Sequence, residues 1–200
     1  QNPASDAAFP VTIEHVYGET TISEKPERIA TVAWANHEVP LALGIVPVGM
    51  RKVTWGDDDD NGVLPWVEDT LDELGAEIPV LFDETDGIDY EAVADTNPDV
   101  ILAAYSGLTQ EEYETLARIA PVVAYPGVAW GASVDDMIEL SSTALGLKAE
   151  GEALIEQLHA DAATALDANS VLKDKKVLFA YFDPTDLSKI GYYTAADTRP

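Results

Sequence analysis

The side chains of this chain that could do chemistry are few and fall into distinct sets. Cations are scarce, with 11 Lys and Arg against 37 Asp and Glu. One pair of them, Arg51-Lys52, directly follows the apolar run 46–50. A guanidinium at a strand end can give forked, charge-assisted hydrogen bonds to an oxygen-rich ligand; its plain alternative is a solvated pair. Aromatics show the same placement: Trp34, Trp55 and Trp130 fall on loops that follow apolar runs, and Tyr105 ends another. Such rings offer flat area and a polar tip to a bulky ligand, although packing is the commoner use of any one ring. Tyr181 sits in a later apolar run, whereas Trp66, inside Leu64-Pro-Trp-Val67, reads as structural.

Two further sets bear on metals and catalysis. Asp57, Asp59 and Asn61, with Gly62 and then Glu68, match the acid spacing of a calcium loop on paper. No helix is expected before them and Pro65 falls inside, so a solvated acidic run is the expectation. His15, His37 and His159 have no metal-ligand spacing, and His37-Glu38 lacks the second His of a zinc-protease helix. His37 is expected to be a partly exposed helix-start residue. There is no Gly-x-Ser-x-Gly elbow, phosphate loop or dinucleotide fingerprint, and Ser106 lacks a glycine on its near side. No catalytic residue, protein-held metal or cofactor is assigned, and a binding protein is expected. An α/β enzyme is the alternative from another class.

The elements that must position these residues follow from punctuation. Between Asp89 and Gly107 come a short helix, an Asn97-Pro-Asp turn, the all-apolar run 100–104 and the loop Tyr105-Ser-Gly107. A continuous apolar run bounded by turn signals is a strand buried on both faces. The same grammar gives strand 28–33, loop 34–36, helix 37–43 stopped by Gly44, and strand 45–50. It also gives helix 110–119, strand 120–125 and loop 126–130, while 11–17 and 19–22 flank Gly18 as a hairpin. Strands alternating with helices predict an α/β domain with a largely parallel sheet, whose ligands sit past the carboxyl ends of the strands. Beyond it, 133–145 and 148–166 read as helices broken at Gly146. Run 175–182 reads as a strand, and 190–200 leads toward a further helix.

Composition narrows the class. A net charge of −26 argues against nucleic acid and against unaided binding to anionic membranes. No run approaches the roughly 18 apolar residues of a membrane span. The absence of cysteine excludes disulfides and thiolate metal sites. The polar start Gln1-Asn-Pro-Ala-Ser-Asp6 suits the tether of an exported protein.

Taken together, several segments resemble the helical-backbone solute-binding proteins of ABC importers, and the ferric-siderophore receptors among them. They are Pro26-Glu-Arg-Ile-Ala, Ala42-Leu-Gly-Ile-Val-Pro-Val-Gly-Met50, Gly62-Val-Leu-Pro-Trp66, Asn97-Pro-Asp-Val-Ile-Leu102, Ser106-Gly-Leu-Thr109 and Ile119-Ala-Pro-Val-Val123. Each is weak alone; their shared order and spacing carry the likeness. The resemblance implies two α/β lobes joined by one long helix, with the ligand between the lobes. On that plan 1–10 is an N-terminal tether, 11–131 the first lobe and 132–170 the connecting helices. Residues 171–200 are then only the start of a second, truncated lobe. Ligand-binding residues would be Trp34, Arg51, Trp55, Tyr105, Trp130, Tyr181 and Arg199. Glu91 matches the carboxylate that such receptors present to an arginine of the permease. The implied partners are a ferric siderophore and an ABC permease, the place is the periplasm or cell surface, and a lipid anchor can precede the tether. Cobalamin and haem receptors share the fold and are the alternative within the class.

Overall fold

A computed structural model describes residues 9–182 and 185–193. Its centre is a five-stranded, all-parallel sheet of β3 (Ile29–Thr31), β4 (Gly49–Arg51), β5 (Val80–Phe82), β6 (Val100–Ala103) and β7 (Val122–Ala124), in the order β5-β4-β3-β6-β7. Between them run α1 (Glu38–Ala42), α2 (Pro65–Glu73), α3 (Tyr90–Asp95) and α4 (Gln110–Leu116). β6, interior and wholly apolar, is sealed on both faces, as parallel sheets covered by helices require. The antiparallel hairpin β1 (Val11–His15) and β2 (Gly18–Ile22) lies against this layer, with Thr20 donating to the carbonyl of Val122 at 2.7 Å.

The amino ends of β3 and β6 are clasped together. Asp99 accepts the backbone N–H groups of Glu27 and Arg28 at 2.9 Å each, and the Arg28 side chain donates to the carbonyls of Thr96 and Asn97. That closes the C-terminus of α3 with a cation, where the helix dipole favours one. The Pro26 and Asn97 segments of the sequence therefore act as one joint.

Differences from the sequence expectation have local causes. The predicted strand 45–50 pairs only from Gly49, because Pro47 has no donor and Ile45 N–H instead closes the α1 turn on Pro40. Strand β5 and helix α2 were not predicted. β5 is three residues between Pro79 and Asp83, too short for a period; α2 starts on Pro65 at its first turn, a position proline suits. α2 sends Val67 and Leu71 into the core with Leu64 just before it.

After the sheet, α5 (Val134–Ala144) is entered by a reciprocal cap between Ser133 and Asp136, and α6 (Lys148–Ala168) packs back on it. The contact is close because Gly151 faces Ser142; a Cβ there would lie 2.1 Å from Ser142 Oγ. Beyond Gly151, α6 is exposed along most of its length. The predicted strand 175–182 shrinks to β8 (Ala180–Phe182). It pairs antiparallel with β9 (Ile190–Tyr192), where the sequence predicted an approach to a helix.

Candidate ligand-binding site

The strand order places a switch point between β3 and β6, since β4 and β5 extend to one side and β7 to the other. Crevices past the carboxyl ends of strands at such a point are where open α/β sheets bind ligands. Here the two flanking loops are locked together by Asn36. Its amide donates to the carbonyls of Val32 and Tyr105 at 2.8 Å, and its carbonyl accepts the N–H of Tyr105 at 2.9 Å. Asn36 is buried, so these bonds replace water that cannot reach the groups.

The β3 loop is bent by two left-handed residues, Ala33 (φ 61°) and Ala35 (φ 62°), with Trp34 between them. Non-glycine residues hold such angles only when their surroundings impose them. The imposing group is Glu84, two residues past β5, whose carboxylate accepts the Ala33 N–H through both oxygens at 3.1 Å. Burial raises the pKa of Glu84 above its ordinary value, while the Ala33 N–H and the Arg51 guanidinium pull it back.

Arg51 ends β4 and meets both neighbours. Its Nε lies 3.5 Å from Glu84 Oε2, and its guanidinium carbon stands 5.5 Å from the centre of the Trp34 ring, a cation–π distance. About a quarter of the Arg51 side chain remains exposed. Trp130, after β7, is also left-handed (φ 59°) and lies over Gly107. A Cβ on Gly107 would come 2.3 Å from Trp130 Nε1, so only glycine admits the ring. The Trp130 N–H donates to the Ser106 carbonyl at 2.9 Å, and the ring meets Tyr105 edge-on.

These side chains line three cavities. One of about 220 Å³ holds Arg51, Glu84, Glu112, Trp130 and the backbone at Gly107. A small one of about 50 Å³ lies among Trp34, His37, Glu38 and Arg51. The third, about 450 Å³, is an apolar trough between α1, α5 and α6, walled by Trp34, Tyr105, Met137 and Leu158 with Glu38 at its edge. Burial raises the pKa of Glu38, opposed by the Trp66 indole N–H, which donates to it at 2.9 Å.

The structure thus gathers Trp34, Arg51 and Trp130 at the switch point. Tyr105 is largely buried, because Asn36 grips its backbone and Trp130 packs on its ring, and it meets the crevice as a wall of the apolar trough. His37, expected to be partly exposed, is buried; burial and then Arg51 lower its pKa to about 4. Trp55 projects into solvent, 78% exposed, and lines none of the three cavities. Tyr181 lies exposed on β8, Glu91 is exposed in the first turn of α3, and Arg199 falls outside the described residues. In the acidic loop Asp57 and Asp59 accept the N–H groups of Gly62 and Asn61, and the Asn61 amide donates to Asp59 and Glu68. Carboxylate oxygens of Asp57, Asp58 and Asp59 lie within 4.8 Å of one another on the surface, an arrangement exposed acids often reach without an ion. Glu84 and Asn36 were not singled out in the sequence, since one is an ordinary acid in an acidic chain and the other's bonds span 69 residues.

A parallel sheet with a switch-point crevice lined by indoles and a guanidinium is a lobe suited to holding a ligand. The chain belongs to the periplasmic binding protein family, whose sequence profile matches residues 29–200. In structure it is similar to PiaA of Streptococcus pneumoniae TIGR4, solved in complex with ferrichrome, with a TM-score of 0.88 and 46% identity over 94% of this chain and 63% of that one. A periplasmic solute binding protein of Mycobacterium smegmatis matches with a TM-score of 0.75 and 31% identity, covering 86% of this chain and 59% of that one. A probable siderophore-binding lipoprotein of Bacillus subtilis, YfiY, is 32% identical over 114 residues, 56% of this chain and 32% of that protein. The chain therefore spans under two thirds of the length of these relatives. The family and these relatives are substrate-binding proteins, not enzymes, and their setting is extracytoplasmic. Among the described residues, no helix is long and apolar enough to cross a membrane.

Proposed function

We propose that the protein captures a ferric siderophore outside the cytoplasm and passes it to an ABC permease for iron uptake. The observation that carries this reading is the meeting of Trp34, Arg51 and Trp130 at the switch point, in a chain 46% identical to a receptor solved with ferrichrome. The indoles provide flat walls for a bulky chelate, and Arg51 provides donors to its oxygen shell. Iron is cargo here, enclosed by its chelator, so no side chain need ligate it. Residues 11–131 form the first lobe and 132–170 the connecting helices; Tyr181 and Arg199 are assigned to ligand binding as part of the second lobe. Glu91, on the outer tip of the first lobe, registers the receptor on a permease arginine, a use of charge for orientation rather than affinity. Residues 1–10 tether the lobe to the membrane through a lipid anchor.

Tryptophan fluorescence of the intact protein, titrated with ferric hydroxamate, catecholate and citrate complexes beside their iron-free chelators, tests the reading. Saturable quenching at sub-micromolar concentration by a ferric complex is expected, with loss of that quenching in Trp34→Ala. Absence of quenching by every ferric complex would sink the siderophore reading and turn the search to haem and cobalamin.

A further inference from the structure

The charge around Arg51 bears on which ferric chelates the lobe accepts, and this deepens the receptor reading and rests on it. Among the described residues, Arg51 is the one cation lining the three cavities; the other charged groups there are Glu38, Glu84 and Glu112. His37, buried beside Arg51, is neutral at physiological pH. Arg51 does not stand as an open positive charge either, because Glu84 faces it at 3.5 Å. Glu84 cannot swing away without releasing Ala33, whose left-handed turn carries Trp34. The ion pair is thus fixed by the same bonds that shape the loop. A ligand entering this half of the crevice meets Arg51 donors whose charge is already balanced, with further carboxylates around it.

We infer that Glu84 sets the specificity of this lobe, admitting charge-neutral ferric chelates of the trishydroxamate class and disfavouring trianionic tris-catecholates. The physical basis is Coulombic: donors on Arg51 still serve neutral hydroxamate oxygens, whereas a trianion gains little from a balanced pair and is repelled by the surrounding acids. One carboxylate charge acting on a trianion about 8 Å away through a water-like dielectric changes affinity about tenfold.

The test measures affinity of the intact protein for ferrichrome, an uncharged trishydroxamate, and for ferric enterobactin, a trianionic tris-catecholate, in wild type, Glu84→Gln and Glu84→Asp. Wild type is expected to prefer the neutral complex at least tenfold. Glu84→Gln, which keeps an acceptor for Ala33 but loses the charge, should cut that preference about tenfold. Glu84→Asp keeps the charge and should keep the preference despite its shorter reach. Raising salt should also narrow the wild-type preference, a reading that needs no variant to fold. Equal or stronger wild-type binding of the trianion would overturn the inference and leave the receptor reading intact. So would a preference that ignores salt, or one that falls equally in Glu84→Asp. Binding of neither complex would overturn the inference, and the receptor reading would then be decided by the full panel of ferric complexes, citrate included.

Discussion

Phe82 and Phe182 both end short strands, and their fates are opposite. Phe82 closes β5 with none of its surface exposed, its ring pressed on the Gly49 backbone. Phe182 closes β8 and is 62% exposed, as are Val177 at 83% and Leu178 at 66%. The two regions are similarly apolar in sequence. What separates them is partners: β5 joins a five-stranded sheet covered by helices, whereas among the described residues β8 has only β9. A two-stranded hairpin alone is marginal in water, and a strand is buried only by what lies across its faces.

That contrast can be broken most forcefully at the two phenylalanines. Phe82→Ala should cost about 3–5 kcal/mol in urea unfolding, the loss for a sealed aromatic. Phe182→Ala should cost under about 0.5 kcal/mol in this chain. Equal effects would mean that the terminal hairpin is covered and that its exposure has been misread.

Acid should sharpen the comparison next. His37 is buried neutral with a pKa of about 4, against an ordinary 6.5. Between those values the unfolded chain binds the proton and the folded lobe does not, so stability falls as pH drops through that window. The loss should reach about 3 kcal/mol once pH is below 4 and be absent above about pH 7. Urea midpoints at pH 7, 5 and 4 should show it, and His37→Gln should flatten that part of the curve.

A similar pairing exists for asparagines. Asn36→Ala removes the bonds that the Tyr105 N–H and carbonyl make to Asn36 in a buried joint, and should cost about 2–4 kcal/mol with loss of ligand binding. Asn169, exposed, with its side-chain amide donating to the Ala165 carbonyl at the end of α6, should give under about 0.5 kcal/mol. The smallest contrast lies within the lobe itself. Gly107→Ala must push Trp130 aside and should cost about 1–3 kcal/mol with a shifted tryptophan emission, whereas Gly127, open to solvent, should tolerate alanine.

Much of the lobe was legible before any coordinates. The all-apolar run at β6, the turn residues before it and the helix over 133–145 are local patterns, and local patterns are what sequence records. Boundaries were less so: β4 begins late because Pro47 and the α1 turn take the residues ahead of it, and β5 is too short to show a period. The site divided in the same way. Strand-end position pointed to Trp34, Arg51 and Trp130, which the structure gathers. It also pointed to Tyr105, which the structure buries, and to Trp55, which it leaves in solvent.

By itself, then, the sequence determined the class of fold, the family likeness and the strand ends where chemistry concentrates, because each depends on residues near one another in the chain. Only tertiary structure decided that Glu84 would balance Arg51, that Asn36 would bridge the crevice and that Gly107 would seat Trp130. Those contacts join residues 23 to 69 positions apart. The choice among many equivalent acids and asparagines is made by packing and burial, which no spacing along the chain encodes.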